Sequence, residues 1–592
     1  NPDYLNSSFQ QKSHTSEEIS LVDMLEAKES FRLLLEYPLL TNVIAESTKK
    51  LIQTITLSKK PVKYLNIIII LFQCPDFVEV SNVKSLLQDM CGFIVTLSTE
   101  DQDRLFKYLT CEEEVQFREI LQLFQEFVSK KLQSRTSGNT YPDSPVVDAT
   151  KCIAILYRIN ETKQLVSYTE FYNRAVNDQI EIKEDFPNYK DKKGFSFCDY
   201  SFLLNPAVKA DVLKVESVFQ MRHELQDAFF RALFQGVNSP YLVLEIRRDH
   251  IIPDTLLQLE EKSIHDLKKQ LRVQFLGEEG VDEGGVQKEF FQLIVREIFD
   301  PKYGLFVYND ESRLCWFSSN PILDGTNTRE YKLVGLLLGL AVYNSVILDL
   351  HFPLALYKML MDVDVNLPDL KQLDPSLGKG LDILLEYDGD IEAEYDRSFQ
   401  VNIESFGHIF TYDLKPTGSD IQLTNENRLE FVNLYTKFIL SISVQKQFEA
   451  FKEGFLLVCK DSAIKMFRPE EVEQLICGSS DLDFEALEKT TVYDGGWTKD
   501  SDIIKYFWEI AHSFSYEDKK KLLFFATGSD RAPIGGLSKL QFVIAKNGGD
   551  SDRLPTSHTC YNVLLLCEYS SKEKLKERLL TSISNAEGFG MI

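Results

Sequence analysis

The segment LPTSHTCYN, residues 554–562, places one cysteine, Cys560, after a histidine and a threonine and just before a strand-like run. A thiol in this setting has three ordinary uses: a packed core side chain, a metal ligand or a nucleophile. Free cysteine is among the most buried residue types, so packing is the default interpretation for most of the ten cysteines. The other two uses require partners.

Zinc binding and peptidase chemistry both ask for residues that are hard to find here. A zinc site uses four ligands in short pairs, whereas His558, Cys560 and Cys567 supply three at irregular spacing. A papain-type hydrolase needs a histidine aimed at the thiol, and on a strand His558 shares a face with Cys560 without its ring pointing at the sulfur. Both chemistries stay open without specific support, and we expect Cys567 to be inert packing.

Thioester exchange asks less of the surroundings of a thiol. Even an unperturbed cysteine is about a few per cent thiolate at pH 7 and is strongly nucleophilic, so no dedicated triad is required. Passing the acyl group to a lysine needs an acidic group that orients the ammonium and accepts its proton, because the lysine pKa lies at about 10.4. With 90 Asp and Glu against 65 Lys and Arg, the chain offers candidates.

Charge and cysteine usage limit the partners and the compartment. A formal charge of −25 would repel nucleic-acid phosphate and anionic membranes, so we expect neither as a partner. The longest apolar runs, IIIILF and LVGLLLGLAVY, fall short of the roughly 18 residues needed to cross a bilayer and are typical of buried core elements. Cysteines without regular spacing indicate a reducing compartment, so we expect a cytoplasmic protein that is also nuclear.

The elements that position Cys560 can be read from the hydrophobic pattern. Residues 1–133 repeat apolar residues at helical spacing, and 134–148 gather Ser, Gly and Pro as in a loop or linker. The segment 149–236 reads as mixed α/β, with KCIAILYRIN as a strand and an amphipathic helix at its end. The last helix of the chain is predicted to start at a cap formed by Ser570 and Glu573, with an apolar face that comprises Leu575, Leu579 and Ile583.

Seven ordered motifs connect the chain to a known family. They are FLGEEGVDEGGVQKEFF, LLGLAVYNSVILDLHFPLALYKML, LTNENRLEFVNLY, FRPEEVEQLICGS, ATGSDRAPIGGL, LPTSHTCYNVLLL and EGFGMI. Together they resemble the HECT-type ubiquitin-protein ligases over about 350 residues, a highly specific match. Within the family, RRDHII and EYSSKEKLKERLL are most similar to the type of ligase whose loss causes Angelman syndrome.

The resemblance implies an α+β architecture in which a mainly helical N-terminal region precedes a bilobal HECT domain. Its N-lobe would be larger and mostly helical, and its C-lobe a small α/β unit. The predicted segments are a helical region (1–133), a loop or linker (134–148), a mixed α/β segment (149–236), the N-lobe (237–477), a hinge (478–482) and the C-lobe (483–592).

The resemblance also implies roles for single residues. Cys560 would accept ubiquitin as a thioester from a charged conjugating enzyme and deliver it to a substrate lysine. His558 and Thr559 would shape its loop, and Phe589 would serve transfer to lysine. Arg248, Glu289 and Asp349 match N-lobe positions that face the thioester region, where carboxylates suit the orientation and deprotonation of lysine.

For the conjugating enzyme, the resemblance implies a docking groove in the N-lobe. Three leucines of SLGKGLDILLEY lie at i, i+4 and i+7 on one helical face, a pattern that by itself indicates a core-facing stripe. The family resemblance favours docking instead. The predicted docking residues are Leu377, Leu381, Leu384, Tyr387, Phe431 and Tyr435.

The sequence therefore predicts a ubiquitin-protein ligase that marks substrates for proteasomal degradation. Its expected partners are ubiquitin, a conjugating enzyme and protein substrates, and self-association is left open. No metal or nucleotide cofactor is expected. The alternatives are a non-catalytic scaffold of the ubiquitin pathway and, with less support, a thiol hydrolase.

Overall fold

The structure is a computed structural model, and it describes residues 2–9, 22–57, 64–74, 84–110, 113–134, 142–235, 239–278, 285–319, 328–405, 408–460, 462–559 and 561–585. The chain forms two compact units, residues 1–208 and 209–592. Helices dominate and the sheets are small, which confirms the expected α+β class. Within the described ranges, no helix combines the length and the apolar character needed to span a bilayer.

The helices described in the first unit are its main elements. Its α-helices are α1 (Pro2–Asn6), α2 (Met24–Leu35), α3 (Pro38–Thr56), α4 (Leu65–Phe72), α5 (Lys84–Val95), α6 (Thr99–Thr110), α7 (Glu114–Gln133), α8 (Ser144–Lys163), α9 (Arg174–Gln179) and α10 (Ile182–Asp191), with 3₁₀ turns at Tyr168–Phe171 and Phe197–Leu203. The IIIILF run lies in α4 and is buried, as expected for a core element.

Helical periodicity accounts for the core of this unit. In α7, Phe117, Leu121, Phe124 and Val128 recur at helical spacing and are all buried. The rings of Phe106 and Phe124 meet with their centroids 5.8 Å apart. The apolar stripe predicted from the sequence therefore packs this helix onto its neighbours.

The predicted mixed segment 149–236 is wrong in its strand content, because KCIAILYRIN lies within α8 and no strand occurs in residues 142–235. Its clustered apolar residues belong to a helix buried along much of its length, and a short apolar run cannot by itself distinguish such a helix from a strand. The linker predicted for 134–148 is also too long. Helix α8 begins at Ser144, with proline in its first turn, where the missing amide hydrogen costs no bond.

The second unit begins near the start of the long helix α11 (Pro206–Gln235). The helices that follow up to residue 477 are α12 (Ile251–Glu260), α13 (Ile264–Leu267), α14 (Gly285–Ile298), α15 (Thr328–Tyr343), α16 (Leu354–Leu360), α17 (Leu367–Leu373), α18 (Pro375–Glu386), α19 (Ile391–Tyr395), α20 (Arg428–Leu440), α21 (Gln445–Cys459) and α22 (Pro469–Cys477). Short 3₁₀ turns lie at Arg248–His250, Gly418–Asp420, Ile442–Val444 and Ala463–Met466.

Three strand pairs accompany these helices. They are the parallel pair β1 (Tyr241–Ile246) and β2 (Gln270–Phe275), the antiparallel pair β3 (Phe306–Tyr308) and β4 (Cys315–Phe317), and the antiparallel pair β5 (Gln400–Ser405) and β6 (His408–Asp413). In β1 and β2, inward-facing residues alternate with more exposed ones. That alternation is typical of strands with one buried face.

The centre of the N-lobe is the close contact between α15, which contains LVGLLLGLAVY, and α21. A Cβ added at Gly335 would meet the carbonyl oxygen of Phe451, and one at Gly454 would meet that of Lys332, each well inside the 3.0 Å that real Cβ atoms keep. Only glycine allows the two backbones to approach this closely. The apolar run is buried as predicted.

A buried ion pair joins α11 to the N-lobe. Lys209 Nζ lies 2.8 and 2.7 Å from the two carboxylate oxygens of Glu471, and both side chains are 1% exposed. Glu471 also accepts a hydrogen bond from the backbone amide of Arg468 at 2.8 Å, which caps the start of α22. Helix α11 therefore folds with the N-lobe, although the sequence placed the boundary after it, near residue 237.

The C-lobe is a four-stranded sheet covered by helices. Its helices are α23 (Phe484–Thr490), α24 (Asp502–Ser513), α25 (Tyr516–Thr527) and α26 (Lys572–Ser584), with a 3₁₀ turn at Leu537–Lys539. Its strands are β7 (Val492–Asp494), β8 (Val543–Lys546), β9 (Thr556–His558) and β10 (Val563–Leu566), in the order β7-β8-β10-β9. Only β9 runs antiparallel to its neighbour.

The last helix confirms the predicted apolar face and corrects its cap. Leu575, Leu579 and Ile583 are buried in the C-lobe core. The N-cap is Ser571, whose hydroxyl accepts a hydrogen bond from the backbone amide of Lys574 at 3.2 Å, rather than the predicted Ser570. The two serines are adjacent, so the sequence pattern alone could not separate them.

The connector between the lobes runs from the end of α22 at Cys477 to the start of α23 at Phe484. Gly478 has a φ of +68°, which L side chains rarely adopt, and Ser479 pairs with Ala532 of the C-lobe through two backbone hydrogen bonds. The helix ends frame the predicted hinge at 478–482. That it bends during the reaction stays a prediction.

Candidate active site

A tight hairpin carries the segment around Cys560. Strands β9 and β10 pair antiparallel, with His558 opposite Val563, and the backbone amide of Tyr561 donates to the carbonyl of His558 at 3.1 Å. Asn562 adopts a φ of +53° as the chain turns into β10. Cys560 lies outside the described residues. Its neighbours define the loop between β9 and β10, here called the thiol loop (residues 559–562).

The residues that flank Cys560 are accessible. Tyr561 is 54% exposed, His558 is exposed and Thr559 is half-buried. At the base of the hairpin, the hydroxyl of Ser557 donates to the carbonyl of Phe525 at 2.6 Å and so ties β9 to α25. The hairpin is thus tied to α25 at its base, and His558 and Tyr561 are exposed on either side of Cys560. Loop-shaping roles for His558 and Thr559 stay a prediction.

The other cysteines described in the second unit are poor nucleophiles. Cys315, Cys459, Cys477 and Cys567 are all buried. Burial raises the pKa of Cys315 and Cys459 to about 12 and that of Cys477 to about 11, because the thiolate would lose its hydration. Cys567 packs in the C-lobe core with its sulfur 3.3 Å from the carbonyl of Asn547, as expected for inert packing.

Helix α14 of the N-lobe faces the thiol loop. Lys288 Nζ lies 3.2 Å from the carbonyl oxygen of Thr559, 3.4 Å from that of Thr527 and 3.4 Å from Oδ1 of Asn562. Gln292 donates its side-chain amide to the carbonyl of Gly528. Sequence reasoning missed both residues, because they meet partners more than 230 positions away, the Lys288–Thr559 contact spanning 271.

Two of the three predicted N-lobe residues form one charged cluster. Nη1 of Arg248 donates to Glu289 at 2.7 Å, and the same guanidinium binds Glu278 through Nε and, at 3.0 Å, through Nη2. Its carbon lies 4.0 Å from the ring centre of Phe275. Arg248 lowers the pKa of Glu278 below its usual value through these bonds, and the two carboxylates raise that of Arg248.

Asp349 is held elsewhere. Its exposed carboxylate lies 3.6 Å from Nε2 of His351, and the neighbouring Leu348 donates its amide to the carbonyl of Ile476, next to the connector. Among the described residues, no ion pair or hydrogen bond joins Asp349 to the Arg248 cluster. Phe589 falls within 586–592, outside the described residues, so its predicted role stays a prediction.

Four of the six predicted docking residues are core residues here: Leu381, Leu384, Phe431 and Tyr435 are at most 9% exposed. Phe431 packs edge-on against Phe399 with ring centres 5.4 Å apart. Leu377 and Tyr387 are half-buried. Burial of the four core residues argues against their direct contact with a partner. The sequence could not show this, because an apolar helical stripe fits a core and a docking groove equally well. For Leu377 and Tyr387 docking stays a prediction.

The described residues contain no group of three or more His, Cys, Asp or Glu suited to holding a metal ion. The groups that could take part in chemistry here are the thiol loop, the charged cluster on the N-lobe and the contact between them. The helix that contacts the thiol loop also carries the Glu289 carboxylate, and His558 and Tyr561, which flank Cys560, are exposed.

Comparison with known proteins points to one family. The HECT-domain (ubiquitin-transferase) family matches residues 292–592. The chain is 40% identical over 549 residues to the probable E3 ubiquitin-protein ligase HECTD2 of Homo sapiens, with 88% of this chain and 70% of that protein covered. It is 36% identical over 611 residues to the probable E3 ubiquitin-protein ligase HERC4 of Mus musculus, with 98% and 57% covered.

A third relative is the probable E3 ubiquitin-protein ligase HERC3 of Homo sapiens, 38% identical over 466 residues, with 75% of this chain and 44% of that protein covered. All three relatives carry the name of the same enzyme class. They support the family without supporting the narrower resemblance to the Angelman-syndrome type.

Proposed function

Because this chain belongs to the HECT-domain (ubiquitin-transferase) family and is an E3 ubiquitin-protein ligase, we propose that Cys560 is the residue that carries ubiquitin. Ligases of this family work with ubiquitin, a conjugating enzyme and protein substrates. The reaction then has two transfers, both at the carbonyl carbon of the ubiquitin C-terminus.

In the first transfer, the Cys560 thiolate attacks the thioester of the charged conjugating enzyme. A new C–S bond forms to Cys560, the old C–S bond breaks, and the cysteine of the conjugating enzyme leaves as a thiolate. In the second transfer, a substrate lysine amine attacks, a C–N bond forms, and the Cys560 thiolate leaves. The amine loses one proton to a carboxylate or to water.

The observation that carries this proposal is the contrast between Cys560 and the other cysteines of the second unit. His558 and Tyr561, which flank Cys560, are exposed and Thr559 is half-buried, whereas Cys315, Cys459, Cys477 and Cys567 are buried. A nucleophile that meets two large protein partners has to be reachable from solvent. The four cysteines that the structure describes in this unit do not meet that condition, which leaves Cys560 as the candidate.

The Arg248 cluster suits a supporting role in the second transfer. The Glu289 carboxylate lies on α14, next to the residue that contacts the thiol loop, and is accessible enough to meet an acceptor ammonium. Its carboxylate is held by Arg248 Nη1 at 2.7 Å and is only about one-third exposed. We assign Glu289 the orientation of the lysine ammonium.

The test mixes the full chain with activating enzyme, conjugating enzyme, ubiquitin and ATP, and resolves the products with and without thiol reductant. We expect a reductant-sensitive ubiquitin adduct in the wild type, no adduct in Cys560→Ala and a reductant-stable ester in Cys560→Ser. Cys567→Ala is the matched control, because it removes a buried thiol seven residues away, and it should form the adduct.

An adduct that persists in Cys560→Ala would refute the assignment. A folded wild-type chain that forms none with any conjugating enzyme would favour the non-catalytic scaffold. Release of free ubiquitin without conjugates, dependent on Cys560, would identify a thiol hydrolase.

The remaining parts of the proposal rest on the sequence alone. They are the delivery of substrates to the proteasome, a cytoplasmic and nuclear location, and the nearer resemblance to the Angelman-syndrome type carried by RRDHII and EYSSKEKLKERLL. Substrate half-lives with and without a proteasome inhibitor, in cells carrying the wild type or Cys560→Ala, test the first of these. A half-life that does not depend on Cys560 would contradict it.

A further inference from the structure

Two stretches of the C-lobe bring carbonyl oxygens to the same face of α14. One is the C-terminal end of α25, at Thr527 and Gly528, and the other is the thiol loop. The last carbonyls of a helix lack partners within the helix and carry partial negative charge, so a cation placed there is favourable. The Lys288 ammonium occupies this position, shared between the carbonyls of Thr527 and Thr559 and the side chain of Asn562.

Gln292 extends the same contact. It follows Lys288 by four residues, so both side chains leave the same face of α14, and its amide donates to the carbonyl of Gly528. Gly528 caps α25 with a φ of +77°, and a Cβ there would lie 3.7 Å from the Cβ of Thr559. Thr559 of the thiol loop therefore lies close to the end of α25 where α14 meets them.

We propose that Lys288, assisted by Gln292, is a positioning residue that docks the thiol loop on the N-lobe for transfer of ubiquitin to lysine. The inference rests on the proposed function of Cys560. Lys288 binds the carbonyl of Thr559, the residue immediately before Cys560, and its neighbour Glu289 belongs to the cluster with Arg248. One helix thus links the loop of the nucleophile to the carboxylate that orients the acceptor.

The two transfers differ in how much they need this docking. Transfer to lysine requires the thioester and the acceptor-orienting carboxylate in one geometry, and misplacement of reacting groups is costly in rate. Loading takes ubiquitin from the conjugating enzyme and does not use Glu289. Loss of the Lys288 contacts therefore depopulates the docked arrangement and slows the second transfer in proportion, by about tenfold for charge-assisted hydrogen bonds.

The test separates the two transfers in a single turnover. The chain is loaded with ubiquitin, charging is stopped, and free lysine is added as the acceptor. In Lys288→Met we expect loading within about twofold of the wild type and discharge to lysine about tenfold slower. Lys288→Arg, which keeps the charge and several donors, should recover most of the discharge rate.

Arg296→Met is the matched control, because it removes an exposed cation from the same helix and should behave as the wild type in both transfers. Gln292→Leu removes the second donor and should slow discharge in the same direction, which keeps the inference testable if Lys288→Met does not fold. Equal slowing of loading and discharge, or unchanged discharge in both variants, would overturn it. A wild type that never forms an adduct would instead refute the proposed function of Cys560.

Discussion

Replacing Lys209 with methionine should destabilise the second unit strongly. The substitution keeps the length of the side chain but removes the ammonium that meets both oxygens of the Glu471 carboxylate at 2.7 and 2.8 Å. With both side chains 1% exposed, water cannot replace the lost partner. Removing one member of a buried ion pair costs about 3–5 kcal/mol, so Lys209→Met should lower the free energy of unfolding by that amount.

The double variant Lys209→Met/Glu471→Gln isolates the cause. It removes both charges, and the glutamine keeps an oxygen that accepts from the backbone amide of Arg468, as Glu471 does at 2.8 Å. Neutral replacement of a buried pair is commonly neutral or stabilising. We expect the double variant to return to within about 1 kcal/mol of the wild type, a coupling that independent sites would not show.

Intrinsic fluorescence during guanidinium unfolding measures this directly, since all three tryptophans, Trp316, Trp497 and Trp508, lie in the second unit and are buried. With a slope of roughly 4 kcal/mol per M, the midpoint should fall by about 1 M in Lys209→Met. Lys214→Met, at an exposed position of the same helix, is the control and should leave it unchanged. A shift of Lys209→Met below about 0.2 M would refute the reasoning.

The pH dependence of stability tests the same ion pair independently. Burial lowers the pKa of Lys209, and the Glu471 carboxylate partly raises it again. In Glu471→Gln the raising influence is gone, so the folded state should release the Lys209 proton at lower pH than the unfolded chain, whose lysine pKa is about 10.4. The unfolded state then binds more protons in that window. The stability of Glu471→Gln should therefore rise toward pH 10, and that of Lys209→Met should lack this rise.

The remaining predictions concern packing and docking. Gly454→Ala should lower the free energy of unfolding by about 3 kcal/mol or more, because its Cβ would force α15 and α21 apart. Gly380→Ala on α18 is the control: a Cβ there meets nothing within 4 Å, so it should raise stability by about 0.5 kcal/mol. The same unfolding curves measure both. Leu381→Ala should lower stability by about 2–5 kcal/mol, since that side chain is buried. Leu377→Ala should keep the fold. The concentration of charged conjugating enzyme needed for half-maximal loading should rise about fivefold. Unchanged loading would show that Leu377 is not part of the docking surface.

Local patterns predicted the parts of this fold that depend on local physics. The apolar face of α26 and the buried run in α15 follow from helical spacing, and both are observed. The strand assigned to KCIAILYRIN failed because burial on more than one side of α8 hides the helical period. The cap of α26 was displaced by one serine, since Ser570 and Ser571 present the same chemistry.

The same distinction between local pattern and long-range contact applies to the residues of the site. Cys560, Arg248 and Glu289 were identified as candidates from motifs, because each motif is continuous in sequence, whereas the bond between Arg248 and Glu289 is visible only in the fold. Lys288 was not identified, because its contacts are with the carbonyl groups of Thr527 and Thr559, which lie next to it only in the folded chain. The docking leucines show the converse limit. An apolar stripe in the sequence indicates that one face of the helix is covered. Only the folded structure shows which residues cover it.

The contacts also indicate where the catalytic unit begins. The family match starts at Gln292, in the middle of α14, yet the same helix carries Lys288 and Glu289 one turn earlier. Glu289 in turn binds Arg248, just beyond β1, and Glu471 inside the matched region binds Lys209 on α11. Each of these bonds would lose a partner in a fragment cut at the start of the match. The smallest fragment that keeps both the buried ion pair and the contact with the thiol loop therefore includes α11 and starts before residue 209.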